Sequence, residues 1–383
     1  MIRRPKIAIF IDWFEPGFKA GGPIRSIANF IHHLGDTYEI YIITSDRDID
    51  DLKSYEGVST DNWIDRHEYK VFYASPGGLN FSSIKRLLQQ ISPDWIYVNG
   101  MFSWTYSILP VLVRTFFYKK ASILLAPRGM LKESALKFKP AKKKIFLAIF
   151  NAIYVRSNVI FQATDAGEKL DIACIFGKNA KTVRLPNFPG IQRNFIPVTD
   201  KKRGELRMIF ISRIHPIKNL DYLLSILPEL DMKIQLTIVG AIEDKVYWQH
   251  CHNLISLIDR KVSIIIKEDV PHAQLESMII GHHLFVLPTL GENFGHAIFE
   301  SLAAGRPVLI SDQTPWRNLV IHHAGWDIAL TDRSQFKEVI KSIANMDATE
   351  LNVWCKAAWM YCQSYLSIND FKKEYKELFA SKN

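Results

Sequence analysis

Two glutamates, Glu292 and Glu300, stand with seven residues between them in the stretch PTLGENFGHAIFESLAAGRPV, residues 288–308. An apolar run, HLFVLP (283–288), leads into them, Gly291 permits a tight turn, and a small-residue pattern surrounds Glu300. The spacing predicts a helix beginning near residues 293–295, with Glu300 roughly two turns inside it. The first backbone N–H groups of that helix point back beyond the strand end and favour an anion there. A carboxylate can accept two hydrogen bonds side by side, which suits vicinal sugar hydroxyls. Two carboxylates flanking such a helix end can therefore grip two sugars, one of them a ribose. The plainer alternative makes Glu292 a helix-dipole residue and Glu300 a surface acid.

A second stretch of the same kind is SRIHPIKNLDYLL, residues 212–224. It follows the apolar run LRMIFIS (206–212). Arg213 and Lys218 bracket a turn containing Pro216, and a helix is expected from about Asn219. A strand end, two cations and a helix start suit a phosphate. A solvated basic turn is the competing reading.

The elements that must position these residues alternate along the chain. KIAIFI (6–11), YEIYIIT (38–44), YKVFYA (69–74), DWIYVN (94–99), ASILLA (121–126), NVIFQA (158–163) and KTVRLP (181–186) read as buried strands with helical patterns between most of them. NFPGIQRNFIPVTDKKRGE (187–205) is rich in proline, glycine and charge, and reads as a connector. The alternation then restarts with strands at 206–212, 234–240, 262–268, 283–288 and 307–311. This predicts an α/β chain of two Rossmann-like domains, 1–190 and 206–347, joined by a linker at 191–205. Residues 348–383 read as helices that pack back on the first domain. Every stretch singled out here follows a strand, where open parallel sheets bind their ligands.

The 383 residues are too many for one ordinary core, and 48% hydrophobic with 23% charged residues describes a globular chain. The apolar run at the N-terminus, Ile7 to Ile11, is too short for a secretion signal, and the greasiest region, 101–125, is broken by Pro110, Arg114, Lys119 and Lys120. The expectation is a cytoplasmic protein without a spanning helix. Cys174, Cys251, Cys355 and Cys362 form no C-x-x-C pair and read as reduced core residues. The acidic run DRDIDD (46–51) reads as solvated loop, so no metal site is expected. No G-x-G-x-x-G follows a strand, which argues against a dinucleotide oxidoreductase.

Arg213 and Lys218 in SRIHPIKN, followed by the two glutamates of PTLGENFGHAIFE, resemble the retaining glycosyltransferases of family 4. These have the fold called GT-B, two facing Rossmann-like domains with a deep cleft between them. The resemblance runs over essentially the whole chain. AGGPIR (20–25) is similar to the family's glycine-rich loop, APRGML (126–131) to a block in sugar transferases of polysaccharide assembly, and LPN (185–187) to the turn ahead of the linker. It implies that Arg213 and Lys218 hold the donor diphosphate and stabilise it as it leaves. Glu292, with the backbone of Asn293, Phe294 and Gly295, would contact the transferred sugar, beside His296. Glu300 would bind the nucleotide ribose, and Gly21 and Gly22 would let the backbone approach the phosphates. Arg25, Asn99 and Arg128 fall on the acceptor side. No metal or other cofactor is implied, because protein cations do that work. One departure stands out: many members carry a histidine where this chain has Asn99, which cannot act as a base.

Net charge is +9, and its excess lies in the first half. Residues 1–190 hold 26 Lys+Arg against 17 Asp+Glu, and residues 191–383 hold 22 against 22. The focus is RGMLKESALKFKPAKKK (128–144), followed by IFLAIFNAIY (145–154). This pairing suits a peripheral contact with an anionic membrane surface, or else a core helix with solvated lysines. It lacks interleaved aromatics, so nucleic acid is not the expected partner. The resulting expectation is a transferase using a nucleotide-diphosphate sugar and a glycan or lipid-diphosphate acceptor in cell-surface polysaccharide synthesis. Its rivals are a sugar-nucleotide epimerase or hydrolase of the same fold and a non-catalytic scaffold.

Overall fold

The computed structural model describes residues 3–191, 193–259, 261–268 and 270–380. The chain divides into two compact units, one comprising Met1–Phe188 with Asp370–Asn383, the other Pro189–Asn369.

The first unit holds β1 (Lys6–Ile11), β2 (Glu39–Ser45), β3 (Trp63–Arg66), β4 (Tyr69–Ala74), β5 (Trp95–Asn99), β6 (Ser122–Ala126), β7 (Ile160–Ala163) and β8 (Thr182–Arg184). They form one sheet in the order β3-β4-β2-β1-β5-β6-β7-β8, parallel except for β3 against β4. The second unit holds β9 (Glu205–Ile211), β10 (Lys233–Val239), β11 (Val262–Lys267), β12 (Leu284–Leu287), β13 (Val308–Ser311) and β14 (Gly325–Ile328), in the parallel order β11-β10-β9-β12-β13-β14. Every residue of β5, β12 and β13 is buried, as expected of strands with helices on both faces. In each sheet the winding reverses once, between β1 and β5 and between β9 and β12. At such a reversal the connections leave in opposite directions, and a crevice opens at the carboxyl ends of the two strands.

Two strands were not expected from the sequence. β3, WIDR, is a polar antiparallel edge, and β14, GWDI, is four residues long and opens on a glycine. Neither shows a buried-strand signature. The tail divides. The helix Ala348–Ile368 buries Leu351, Cys355, Ala358 and Cys362 in the second unit. The helix Phe371–Ala380 belongs to the first, where Phe371, Tyr375 and Phe379, one turn apart, enter an aromatic cluster around Phe30. Within the stretch read as a connector, residues 193–205 are packed in the second unit. Val198 exchanges two hydrogen bonds with Asn352, and the Arg193 carbonyl accepts from Trp359 at 2.8 Å.

Cys251, Cys355 and Cys362 are buried as expected, whereas Cys174 is exposed. The acidic run is solvated only at its end: Asp50 and Asp51 are exposed, whereas Asp46 and Asp48 are buried. Asp48 Oδ2 accepts from the backbone N–H of Phe18 at 2.7 Å and of Lys19 at 3.0 Å. Its carboxylate therefore shapes the chain leading into the glycine pair at 21–22.

His283, immediately before β12, is buried; its Nδ1 accepts the Arg207 N–H at 3.0 Å and its Nε2 has no partner. Burial, reinforced by Arg207 and Lys201, pushes the imidazole down to about 3. The ordinary histidine value is about 6.5, so between the two the unfolded chain binds a proton that the folded chain refuses. The stabilisation is present above about 6.5 and is lost as pH falls towards 3. We expect urea unfolding to show stability declining from pH 7 to pH 5, and His283→Asn, which keeps an acceptor without titrating, to flatten that slope. An equal slope in the variant would remove His283 as the cause.

Candidate functional site

In the second unit the site is built at the β9/β12 reversal. After β9 the chain makes a short 3-10 turn, Pro216–Lys218, closed by Asn219 in the left-handed region at φ +57°. After β12, the segment Thr289–Gly291 folds onto this turn. The Ile217 carbonyl accepts from the Leu290 N–H at 2.7 Å and the Thr289 hydroxyl at 2.9 Å, while Asn219 donates to the Pro288 carbonyl at 2.9 Å. These bonds bring Lys218 and Glu292, 74 positions apart, to 2.6 Å. Both side chains are more than four-fifths buried, so this pair is less screened than a surface one.

The helix after Glu292 runs His296–Ala303, starting slightly later than expected. Glu300 is its fifth residue, hence just over one turn inside, not two. Gly295 caps the helix at φ +77°, and an added Cβ would lie 2.7 Å from Ile298 and 3.1 Å from Glu292. Glycine is required there on both counts. Phe294 is core: its ring packs against Trp316 and Phe299, and its carbonyl accepts from Trp316 Nε1. His296 is buried beside Phe294.

Glu300 meets a residue that sequence reasoning missed. Its Oε1 lies 2.8 Å from Nε2 of His272, the first residue of the helix His272–Ile280. Arg213 is bound by another missed residue, Glu243, at 2.7 Å. Burial pushes the nearby His215 imidazole down, with Glu243 opposing. Lys218–Glu292, His272–Glu300 and Arg213–Glu243 thus form three pairs near one pair of strand ends. No local signal marks His272 or Glu243, because each meets its partner only through sheet order.

The first unit places Asn99 at the corresponding β1/β5 reversal, Gly21, Gly22 and Arg25 at the start of the helix that follows β1, and Arg128 just after β6. Gly21 caps the helix Gly22–Leu34 at φ +65°, so its glycine is conformational, and Gly22 opens the first turn. Arg25 reaches Glu15 at 3.1 Å and Asn29 at 3.4 Å. Asn99 ends β5, and its Oδ1 accepts from Arg128 Nε at 2.6 Å. Arg128 also donates to the Tyr97 hydroxyl at 2.6 Å and to Asn187. Tyr97 donates to Gln162, whose amide donates to Tyr375 of the terminal helix at 2.8 Å. Arg128 therefore braces Asn99 with all three of its nitrogens engaged. Among the described residues, no group of three or more His, Cys, Asp or Glu side chains is arranged to hold a metal ion.

Two parallel sheets, each with one reversal, and the paired groups at the β9/β12 strand ends have counterparts among known proteins. Residues 192–358 match the family model of glycosyl transferases group 1. The chain has the GT-B fold. Among solved structures it is similar to a sucrose-phosphate synthase from Thermosynechococcus elongatus, with a TM-score of 0.74 at 18% identity, covering 98% of this chain and 100% of that one. It is also similar to HepE of Anabaena in complex with UDP-glucose, at TM-score 0.68 and 14% identity over 98% and 100% of the two chains. A third is WaaG, a glycosyltransferase involved in lipopolysaccharide biosynthesis, at 0.65 and 13% over 97% and 98%. No curated protein sequence matches the chain.

Proposed function

We propose that this protein is a retaining, metal-independent glycosyltransferase that moves a sugar from a nucleotide-diphosphate sugar to a glycan or lipid-linked acceptor in cell-surface polysaccharide synthesis. The observation that carries the proposal is the Lys218–Glu292 pair at the β9/β12 reversal, beside the N-terminus of the helix His296–Ala303. An arriving diphosphate competes with Glu292 for Lys218 and with Glu243 for Arg213. It gains two charge-assisted contacts and frees Glu292 to accept hydroxyls of the transferred sugar. The backbone of 293–295 and His296 border that sugar. Glu300, oriented by His272, accepts from the ribose. As the sugar departs, charge grows on the phosphate, and the two cations are already in place to stabilise it. That Anabaena HepE was solved with UDP-glucose supports a nucleotide-sugar donor, and the role of WaaG supports a cell-surface glycan as the setting.

The purified protein offered UDP-, GDP- and dTDP-sugars, with and without lipid-diphosphate acceptors, tests this reading. Saturable binding of one donor, lost in Glu300→Ala, with transfer only when acceptor is present and the anomeric configuration kept, is the expected result. Donor consumption without acceptor would point to a hydrolase or epimerase. Absence of donor binding would end the transferase reading.

In this reading the acceptor side works at the inner face of the cytoplasmic membrane. The helix Pro140–Ser157 leaves Ile145, Ile149 and Val155 exposed beside exposed Lys142, Lys144 and Arg156. Among the described residues no helix is long and apolar enough to cross a membrane. Each cation near an anionic surface is worth about 1 kcal/mol, roughly fivefold in affinity. Lys142→Glu with Lys144→Glu should therefore weaken binding to phosphatidylglycerol vesicles by more than tenfold. Equal binding of the parent to phosphatidylcholine vesicles would remove the electrostatic basis.

A further inference from the structure

The outer edge of the first sheet carries a groove of about 470 Å³ that none of the residues assigned to sugar transfer borders. β3 pairs antiparallel with β4, with Trp63 directly opposite Phe72, and Phe72 in turn stands opposite Ile43 of β2. Directly opposed residues share one face of a sheet. The helix Phe81–Ile91 packs on that face through Ile84, Leu87 and Leu88, and the groove lies between this helix and the edge strand. Trp63 and Phe72, both half-buried with ring centroids 5.5 Å apart, line it from the sheet. Ser83, Arg86, Leu87 and Gln90 line it from the helix. At spacings of three and four they share one helix face and run about 10 Å along it. One end is fixed by Asp61, which accepts the Ser75 N–H at 3.1 Å and the Ser75 hydroxyl at 2.6 Å. An added Cβ on Gly78 would lie 2.9 Å from Asp61 Oδ1 and 2.8 Å from Ser75 Oγ, so the glycine lets these chains close. Both oxygens of Asp61 are thereby spent on the wall.

The groups left to the groove are of another kind. Among the described residues Arg86 and Gln90 have no hydrogen-bond or ion-pair partner. The adjacent Lys85 is spent elsewhere, over the Phe117 ring at 5.3 Å. Asn62 donates to the Thr60 carbonyl at 3.1 Å, which leaves its Oδ1 to accept. The groove therefore offers one uncompensated guanidinium, two side-chain amides and an aromatic wall. A guanidinium fork matches a carboxylate. Amides donate and accept, as sugar hydroxyls require. An aromatic ring packs against the apolar C–H side of a pyranose. A phosphate monoester, with nearly two negative charges, would leave one of them unmatched here.

We propose that this groove is a second, non-catalytic glycan site that holds a hexuronate residue. Arg86 takes the carboxylate, Asn62 and Gln90 take hydroxyls, and Trp63 lies against the ring. At about 4.8 Å per strand, β3 is roughly 14 Å across the sheet from β1, so the site is separate from the β1/β5 reversal. It retains an acidic glycan on the protein without touching the transferred sugar. The inference goes beyond the transferase reading, and its test reads binding alone.

The full chain, isotope-labelled for NMR, is titrated with methyl glucuronide and methyl galacturonide. Methyl glucoside serves as the neutral match and inorganic phosphate as the bare anion. Saturable binding of a uronide, about tenfold or more tighter than the glucoside, is expected, because the carboxylate adds a charge-assisted bond. The Trp63 indole N–H resonance, assigned with Trp63→Phe, should move during that titration. Arg86→Gln, at an exposed position, should raise the uronide Kd about tenfold and leave the glucoside unaffected. Arg86→Lys keeps the charge without the fork and should lose less. Equal binding of uronide and glucoside, an unchanged uronide Kd in Arg86→Gln, or a still Trp63 resonance would overturn the site. Phosphate binding as tightly as the uronide would reduce it to a bare anion contact and overturn it too. UDP-, GDP- and dTDP-sugars are titrated in parallel. Uronide binding without donor binding would end the transferase reading and leave this site standing, and the reverse result would remove this site alone.

Discussion

Lys218→Ala should lower kcat by about 10²–10³-fold, the effect of removing one preorganised stabiliser of developing charge. The donor Kd should rise much less, because the diphosphate keeps Arg213 and the N–H groups of the helix His296–Ala303. The geometry makes the experiment decisive. Lys218 Nζ sits 2.6 Å from Glu292, so the single variant removes a cation and also takes that cation from a largely buried carboxylate. Two explanations of a damaged enzyme are then open: lost transition-state stabilisation or a distorted loop. The double variant Lys218→Ala/Glu292→Gln separates them. It removes the carboxylate charge that Lys218 had balanced and relieves any distortion, yet the leaving phosphate still lacks its cation. We expect kcat to stay low in the double variant while the thermal midpoint recovers. Recovery of kcat along with stability would make the pair a structural clamp and sink the catalytic role of Lys218.

What could be read in advance follows from where the physical signal resides. The buried parallel strands announce themselves as unbroken β-rich apolar runs, and twelve strand positions are visible that way in the sequence. β3 and β14 were hidden because an edge strand and a glycine-led four-residue strand need no such run. Lys218 and Glu292 were legible because each follows a strand, and the winding order places those two strands side by side. Their partners were not. His272 opens a helix whose hydrophobic pattern says nothing of Glu300, and Glu243 lies in the turn after β10. Asp48 shows the same limit from the other side. A run of acids looks solvated in one dimension, but backbone N–H groups of the loop at 18–19 await one of them. The pairing of the terminal helix with the first unit is half legible. Phe371, Tyr375 and Phe379 mark a buried face, while its destination depends on the aromatic cluster around Phe30.

Arg306→Met should destabilise the second unit by about 3 kcal/mol or more, a large effect for a substitution that contacts no proposed ligand. In the sequence Arg306 looks like an ordinary cation between a small-residue helix and a strand. In the structure it is 1% exposed, and its hydrogen bonds go to no carboxylate. Its guanidinium is spent on backbone carbonyls: Ile280 and His282 ahead of β12, Ala304 and Gly305 at the end of the helix His296–Ala303, and Ile196 of the segment entering the unit. The terminal carbonyls of a helix need donors, and here one side chain serves them together with two neighbouring segments. Methionine fills much of the volume but donates nothing, leaving up to five carbonyls to find water or go without. The Arg306→Lys variant would carry three donors on one atom and cannot span the set, so its stability should fall between the two. Urea denaturation followed by tryptophan fluorescence measures this. An unchanged midpoint in Arg306→Met would mean that the carbonyls are satisfied without the guanidinium. The same helix carries Glu300, so we expect donor affinity to fall in Arg306→Met even in conditions where the variant is fully folded. Loss of stability with donor affinity intact would show that the far end of the helix is not coupled to the ribose contact.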